Sequence, residues 1–398
     1  MTLGWHCPTL MMYGCDGLAP WLRNRAERAS TLVVDGAVAD APVTTRVHEQ
    51  LARAGHEVET VELSGSGGLA EVETLADRLS GVRLVVGVGG GSLLDRAKLA
   101  VQMNAVPDTR ARLATPQRSG LVLLPAVPAP ARAALVAVPT TLGTGSECSS
   151  VACLTVSGAK RLVMGASLYP DAAVIDPLAT STLPHELVAE GVLEVLFRLT
   201  GLYVGDHGDA PTEDALAETL MMRAVRLGWE LHAARTAGDE AGHARLRAEA
   251  AKVSGLSHAG WVVLGRPPYA SKGWYLANEL SSALGVRKMT AVTALLPPLW
   301  QAVTDGDSRL GSGPRLARLW QALRTAGPRE LSVDPATGVA ELADAWRVDR
   351  SLTADDAQLK AVSARALRAW GAGLPMLDGL TAADITGLLR QATRDEPS

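Results

Sequence analysis

Val86-Gly87-Val88-Gly89-Gly90-Gly91-Ser92-Leu93-Leu94-Asp95-Arg96-Ala97-Lys98 decides how this chain is read. Leu84 to Val88 reads as an apolar strand, the glycines as a tight turn, and Ser92 as the start of a helix. Such a junction aims backbone N–H groups at one small volume, and the positive end of the helix favours an anion there. The successive glycines let a diphosphate approach with no Cβ in the way. A purely structural strand-to-helix loop has the same form. A second segment follows another short apolar strand: Val138-Pro139-Thr140-Thr141-Leu142-Gly143-Thr144-Gly145-Ser146-Glu147.

Working outward, the first half alternates strands with helices. Strands are expected at Thr31 to Asp35, Val58 to Leu63 and Arg83 to Val88, and helices at Val43 to Ala54, Leu69 to Leu79 and Leu93 to Met103. This rhythm predicts a doubly wound parallel sheet. After Pro184 the pattern turns helical, as in Leu216 to Ala234, Glu240 to Ser254 and Arg315 to Thr325. The expected organisation is α/β plus all-α: a dinucleotide-binding domain over 1–180 and a helical substrate or catalytic domain over 181–398. The Gly/Pro/Asp-rich segments at 204–212 and 305–314 read as surface loops.

With 398 residues, the chain can bury a large core in two domains. A formal charge of -4 and a pI near 6.1 give no electrostatic case for nucleic acid or an acidic membrane. The longest apolar stretch, Leu121 to Val138, is broken by Pro125, Pro128, Pro130 and Arg132. No basic-then-apolar secretory leader is evident. Cys7, Cys15, Cys148 and Cys153 show no CxxC spacing and suit a reducing cytoplasm.

The pattern GGGSxxDxAK followed by PTTxGTGSE resembles the iron-containing alcohol dehydrogenase family, relatives of glycerol dehydrogenase and dehydroquinate synthase. The resemblance continues through Tyr169-Pro170-Asp171 to Asp176-Pro177, Leu183-Pro184, Leu295-Leu296-Pro297 and Gly373-Leu374-Pro375, nearly the whole chain. It implies a nicotinamide cofactor, with Gly90, Gly91, Ser92 and Asp95 of the first motif and Thr140, Thr141 and Thr144 of the second around it. Lys160 corresponds to a family lysine near the ribose. Asp35, at the end of a strand, either accepts hydrogen bonds from the ribose hydroxyls, which favours NAD over NADP, or merely caps the next turn. Ser64 to Gly68 departs from the Asn-Pro pair usual in relatives, on the adenine side.

The departure is larger where relatives hold iron or zinc with one aspartate and three histidines. Counting without gaps from Leu183-Pro184 puts Glu194 at the aspartate and Arg198 at the first histidine; Tyr203 then matches a common tyrosine. Counting back from Leu296-Pro297 puts Lys288, Asn278 and Trp274 at the other positions. Guanidinium, ammonium and indole offer no lone pair to a cation at neutral pH, and the eight histidines show no HxxxH spacing. The expectation is therefore no metal. Arg198 and Lys288 would then take over the work of the ion, stabilising an alkoxide, gripping a carboxylate or serving as general base, with Glu194 beside them. A solvent-facing Glu194–Arg198 pair at i,i+4 with an unrelated lysine is the plainer alternative. Tyr275 could orient a substrate or simply pack. His258 reads as a satisfied buried imidazole, Glu279 and Lys272 as rim charges, and the tryptophans as packing.

Two branches that the chain resembles inform the substrate. Maleylacetate reductases work without metal on an acidic substrate. The daptide-type branch of actinobacterial peptide clusters oxidises a C-terminal threonine, and the β-keto acid then loses carbon dioxide. The expected function is a metal-independent, NAD-dependent oxidoreductase of a secondary alcohol or ketone beside a carboxylate, with a small-molecule or peptide substrate. The alternatives are a maleylacetate reductase-like enzyme and a non-catalytic NAD-binding scaffold or partner subunit. The resemblance suggests a homodimer or larger, and a partner biosynthetic protein is conceivable.

Overall fold

The computed structural model describes residues 7–65, 67–125, 132–267 and 269–394. Pro128 and Pro130, named above, and His6, one of the eight histidines, lie outside that set. The first half contains β1 (Leu10–Tyr13), α1 (Leu18–Arg23), β2 (Ala29–Asp35), α2 (Pro42–Arg53), β3 (Glu57–Leu63), α3 (Leu69–Arg78), β4 (Leu84–Gly89) and α4 (Gly91–Ala105). After α5 (Asp108–Ala114) come β5 (Leu121–Leu123), β6 (Ala134–Pro139), β7 (Val151–Val156), β8 (Ala159–Met164) and β9 (Ala172–Ile175). Each expected strand and helix of this half appears, within a residue or two of its expected ends.

Six strands form a parallel sheet in the order β1-β9-β6-β4-β2-β3. Its central strand β4 is buried along its full length, because helices cover both faces. Val86 and Val88 pack with Leu22, Val43, Val47 and Leu51 on one face. Val85, one step out of phase, joins Val72, Leu75, Leu94 and Ala97 on the other. A second sheet, β5-β8-β7, was not foreseen. Its β7–β8 hairpin turns at Ser157-Gly158, and Ala152, Leu154 and Val163 pack into the same core as α4. Its strands are short and partly exposed, so the periodicity there is weak.

The helical half contains α6 (His185–Val204), α7 (Pro211–Ala237), α8 (Glu240–His258), α9 (Lys272–Leu284), α10 (Lys288–Thr304), α11 (Gly313–Leu323), α12 (Pro335–Ala345), α13 (Asp356–Trp370) and α14 (Ala382–Ala392). Here α10 packs against α9, α11, α12 and α14. No helix among the described residues is long and apolar enough to cross a membrane.

Two compact units result. Of the described residues, one takes those up to Val188 together with Ala241–Ala259; the other takes Ala189–Glu240 and those from Gly260 onward. This differs from a single cut after 180: the division falls inside α6, and α8 belongs with the sheet. The reason is side-chain chemistry on α8, where Ser254 Oγ accepts from Gly143 N at 2.9 Å and the Gly255 carbonyl accepts from Cys148 Sγ at 3.5 Å. The segment 204–212 is also not wholly a surface loop. Asp206 is buried and shares the Arg266 guanidinium with buried Asp214, at 2.8 and 2.7 Å.

Candidate active site

In the sheet-bearing unit the strand order reverses between β2 and β4: β3 lies outward of β2, and β4 returns on its other side. Open α/β sheets bind ligands at the carboxyl ends of strands at such a point. Asp35 ends β2 and Gly89 ends β4. The two ends are close enough that a Cβ on Gly89 would stand 3.1 Å from Asp35 Cβ.

Beyond Gly89, Gly90 caps α4 without any side-chain hydrogen bond. The second motif lies directly against this turn. A Cβ on Gly90 would meet Thr141 Cγ2 at 3.1 Å, and one on Gly91 would meet Thr144 Cβ at 2.8 Å. The two hydroxyls, Thr141 Oγ1 and Thr144 Oγ1, are buried and have no hydrogen-bond partner. Burying a hydroxyl without a partner costs about 1–3 kcal/mol. Two such groups beside a helix N-terminus fit an anionic ligand such as a pyrophosphate. Ser92 is exposed in the first turn of α4, and Thr140 is buried with its N–H donated to Gly89 O at 3.0 Å.

Other residues expected around the cofactor have internal duties. Asp35 Oδ1 accepts from Ala37 N at 3.1 Å, so it caps the next turn while standing at the strand end. Asp95 accepts from Ser146 Oγ at 2.5 Å and from Cys153 N at 2.8 Å, with Lys98 Nζ 3.8 Å away. That carboxylate ties the two motifs and β7 together. Lys98 is fully buried and donates to Val151 O at 2.8 Å; burial lowers its pKa, and burial raises that of neighbouring Glu147. Lys160 sits in the unforeseen hairpin, opposite Thr155. His258, at the end of α8, has Nδ1 3.1 Å from Ser254 O and lies where any Cβ on Gly145 would collide with its ring. Neither motif spacing nor helix periodicity signals that α8 supports the second turn; Ser254 and His258 are the residues that sequence reasoning undervalued.

The helical unit carries the charged constellation. Glu194 on α6 forms an ion pair with Lys288, the first residue of α10, 94 positions along the chain. The i,i+4 partner Arg198 is half-buried on the same helix. Glu194 thus has a partner on another helix. One turn earlier, buried Glu190 accepts from Arg287 at 2.7 Å. Burial raises the Glu190 pKa, with Asp349 and Glu194 adding to the shift and Arg287 opposing it. Asn278 donates to Trp274 O at 3.1 Å. The Trp274 ring lies edge-on to Tyr275 and Trp370, with centroids 5.2 and 6.1 Å away.

This donor set does not fit a divalent ion. The Glu194 carboxylate is engaged by an ammonium, Arg198 and Lys288 are cationic, Trp274 offers only an indole, and Asn278 is a neutral amide. Tyr275 is buried in the aromatic cluster, and burial pushes its hydroxyl far above the usual phenol range. Glu279 is not a rim charge: it is buried and accepts from Arg365 Nε at 2.5 Å and Trp370 Nε1 at 3.0 Å. Lys272 donates to Asp378 O at 2.6 Å, and Tyr203 is a packing residue bonded to Glu218 and Arg318.

Residues 9–177 match the family model described as iron-containing alcohol dehydrogenase. The NADPH-dependent aldehyde reductase YqhD of Escherichia coli is 26% identical over 310 residues, covering 75% of this chain and 76% of that protein. The probable alcohol dehydrogenase EutG of the same organism is 36% identical over 142 residues, about a third of each chain (35% and 33%). The solved structure of an NADH-dependent butanol dehydrogenase from Thermotoga maritima covers 99% of both chains with a TM-score of 0.79 at 18% identity, a likeness of fold.

Proposed function

Because the chain belongs to the iron-containing alcohol dehydrogenase family, we propose that this alcohol or aldehyde dehydrogenase-type oxidoreductase is NAD-linked and works without a metal in the cytoplasm. Its substrate is a secondary alcohol, or the corresponding ketone, beside a carboxylate. The observation that carries this reading is the Glu194–Lys288 ion pair, found where the family resemblance places metal ligands. A permanent cation that already has an anionic partner is poised to exchange it for a substrate carboxylate or a developing oxyanion.

Nicotinamide, when bound, supplies the hydride acceptor. Gly90, Gly91, Thr141 and Thr144 would hold its pyrophosphate, and Asp35 would accept from the adenosine ribose hydroxyls. In the oxidative direction the carbinol carbon would give up a hydride, and the hydroxyl proton would leave to solvent water as Lys288 counters the charge on oxygen. Lys288 and Arg198 counter the charge on the substrate oxygen and carboxylate, Glu194 keeps Lys288 in place, and Tyr275 supports the surrounding aromatic wall. On a peptide ending in threonine the product is a β-keto acid, which releases carbon dioxide without further redox chemistry. The active form on this reading is a homodimer or larger.

The test is direct. Purified protein is analysed for bound iron and zinc, then assayed for NADH absorbance with small hydroxy acids and with peptides ending in threonine. NADH formation by metal-free protein, abolished in Lys288→Ala and strongly reduced in Arg198→Ala, is the expected result. Stoichiometric iron or zinc, or full turnover by both variants, overturns it.

A further inference from the structure

Arg96 occupies a position that the GGGSxxDxAK pattern leaves open. Its side chain leaves α4 toward the turn after β3 and is almost wholly buried, at 3% exposure. Nη2 donates to Gly65 O at 2.8 Å and Nη1 to Ser64 O at 3.4 Å. Gly67 lies so close over the guanidinium that a Cβ there would be 2.9 Å from Nη1. Gly65 and Gly67 both have left-handed φ, +64° and +62°, so the turn has no rigid residue of its own at these positions. Arg96 therefore braces the stretch where relatives usually carry Asn-Pro.

The same guanidinium balances charge. Burial disfavours its charged form, while Asp35 and Glu71 favour it. Asp35 ends β2 opposite Leu63, the residue before the Ser64 carbonyl that accepts from Arg96. Arg96 Nε is buried and has no hydrogen-bond partner. An orphaned guanidinium N–H beside the strand end that faces a ribose is a donor suited to phosphate oxygen.

We propose that Arg96 is a specificity-determining residue for cofactor choice: it supplies the counter-charge that lets the Asp35 side of the pocket tolerate a 2′-phosphate, while its fork holds the adenosine-side turn. This rests on the nicotinamide-binding reading given above. Without Arg96, the Asp35 carboxylate at the strand end faces the phosphate dianion with no guanidinium beside it. A ribose 2′-hydroxyl, being neutral, is indifferent to that loss except through the turn.

Fluorescence titration of the purified full-length protein with NADH and with NADPH separates the two effects. Arg96→Ala is expected to raise the Kd for NADPH by about tenfold more than that for NADH, one unit charge at short range. Arg96→Lys restores charge without the fork, so it recovers the ratio of the two Kd values but not their absolute size. Asp35→Ser improves NADPH binding in the wild-type background and not in the Arg96→Ala background. Equal weakening of both cofactors by Arg96→Ala, or no change in either, overturns the inference while leaving the cofactor reading intact. If wild-type protein binds neither cofactor, both fail together.

Discussion

The glycine turn of the sheet-bearing unit and the charged helices of the other unit solve opposite problems. Around Gly90 and Gly91, buried hydroxyls of Thr141 and Thr144 have no partner. Around Glu194 and Lys288, the charges have partners already. Unsatisfied buried polar atoms are expensive and persist where a ligand satisfies them. Paired charges are the folded chain's own solution to a region that would otherwise bury isolated ions. On the proposed function, the first region is where a ligand supplies missing partners and the second is where a substrate anion would replace one.

The largest effect expected from breaking this contrast is in the turn. Gly91→Ala places a methyl 2.8 Å from Thr144 Cβ, inside the volume a pyrophosphate needs. The Kd for NADH should rise at least about 100-fold, roughly 2.7 kcal/mol, and the melting temperature should fall as Thr144 is pushed aside. Unchanged NADH binding would remove the cofactor from that turn.

Next in size is Lys288→Ala, which strands Glu194, a carboxylate only 12% exposed. Breaking such a pair costs about 1–3 kcal/mol after allowing for solvent at the lysine end. Thermal or urea unfolding measures it. Glu194→Gln combined with Lys288→Met should recover most of that stability yet remain inactive; activity in the double variant would make the pair purely structural.

Thr141→Val and Thr144→Val sharpen the contrast by their sign. Each replaces an unpartnered hydroxyl with a methyl, so cofactor-free stability should hold or rise by about 0.5–1 kcal/mol. NADH affinity should fall about tenfold per substitution. Calorimetry with and without NADH reads both numbers on one sample. Loss of stability in both states would mean that the hydroxyls are satisfied internally.

The smallest effect is a pH dependence from Glu190. Its folded pKa is raised by burial, so its contribution favours the folded state fully below the unfolded value near 4.5. That contribution is lost as pH rises through the folded pKa. Glu190→Gln removes the titration, and its melting temperature should decline less than that of wild type as pH rises from 4.5 to neutrality. Parallel curves for the two proteins would show that Arg287 holds the carboxylate ionised throughout.

How much of this was legible in advance divides along the same line. The parallel sheet, its helices and the glycine turn were readable because each is a local pattern: period-two apolar strands, amphipathic helices, and glycines at one junction. The antiparallel hairpin at Val151–Met164 was missed, since its strands expose alternate residues to weak effect and carry Lys160 into an unexpected sheet. Counting along the chain singles out Glu194, Arg198 and Lys288 and sets Glu194 beside the two cations, but it does not reveal the ion pair with Lys288. The plainer pairing of Glu194 with Arg198 was equally compatible with helix geometry.

The sequence by itself determined a chain that gathers backbone N–H groups at the start of α4, because strand, glycine and helix are contiguous and fix that geometry over a dozen residues. Only the tertiary structure decided who neutralises whom. Electrostatic partners are chosen by proximity after packing, so Glu194 meets a lysine 94 residues away. By the same rule, Arg96 bends back over the turn at Ser64 and Gly65, and α8 is drawn to the sheet by Ser254 and Gly255. Separation along the chain carries no information about such contacts once the backbone has folded back on itself.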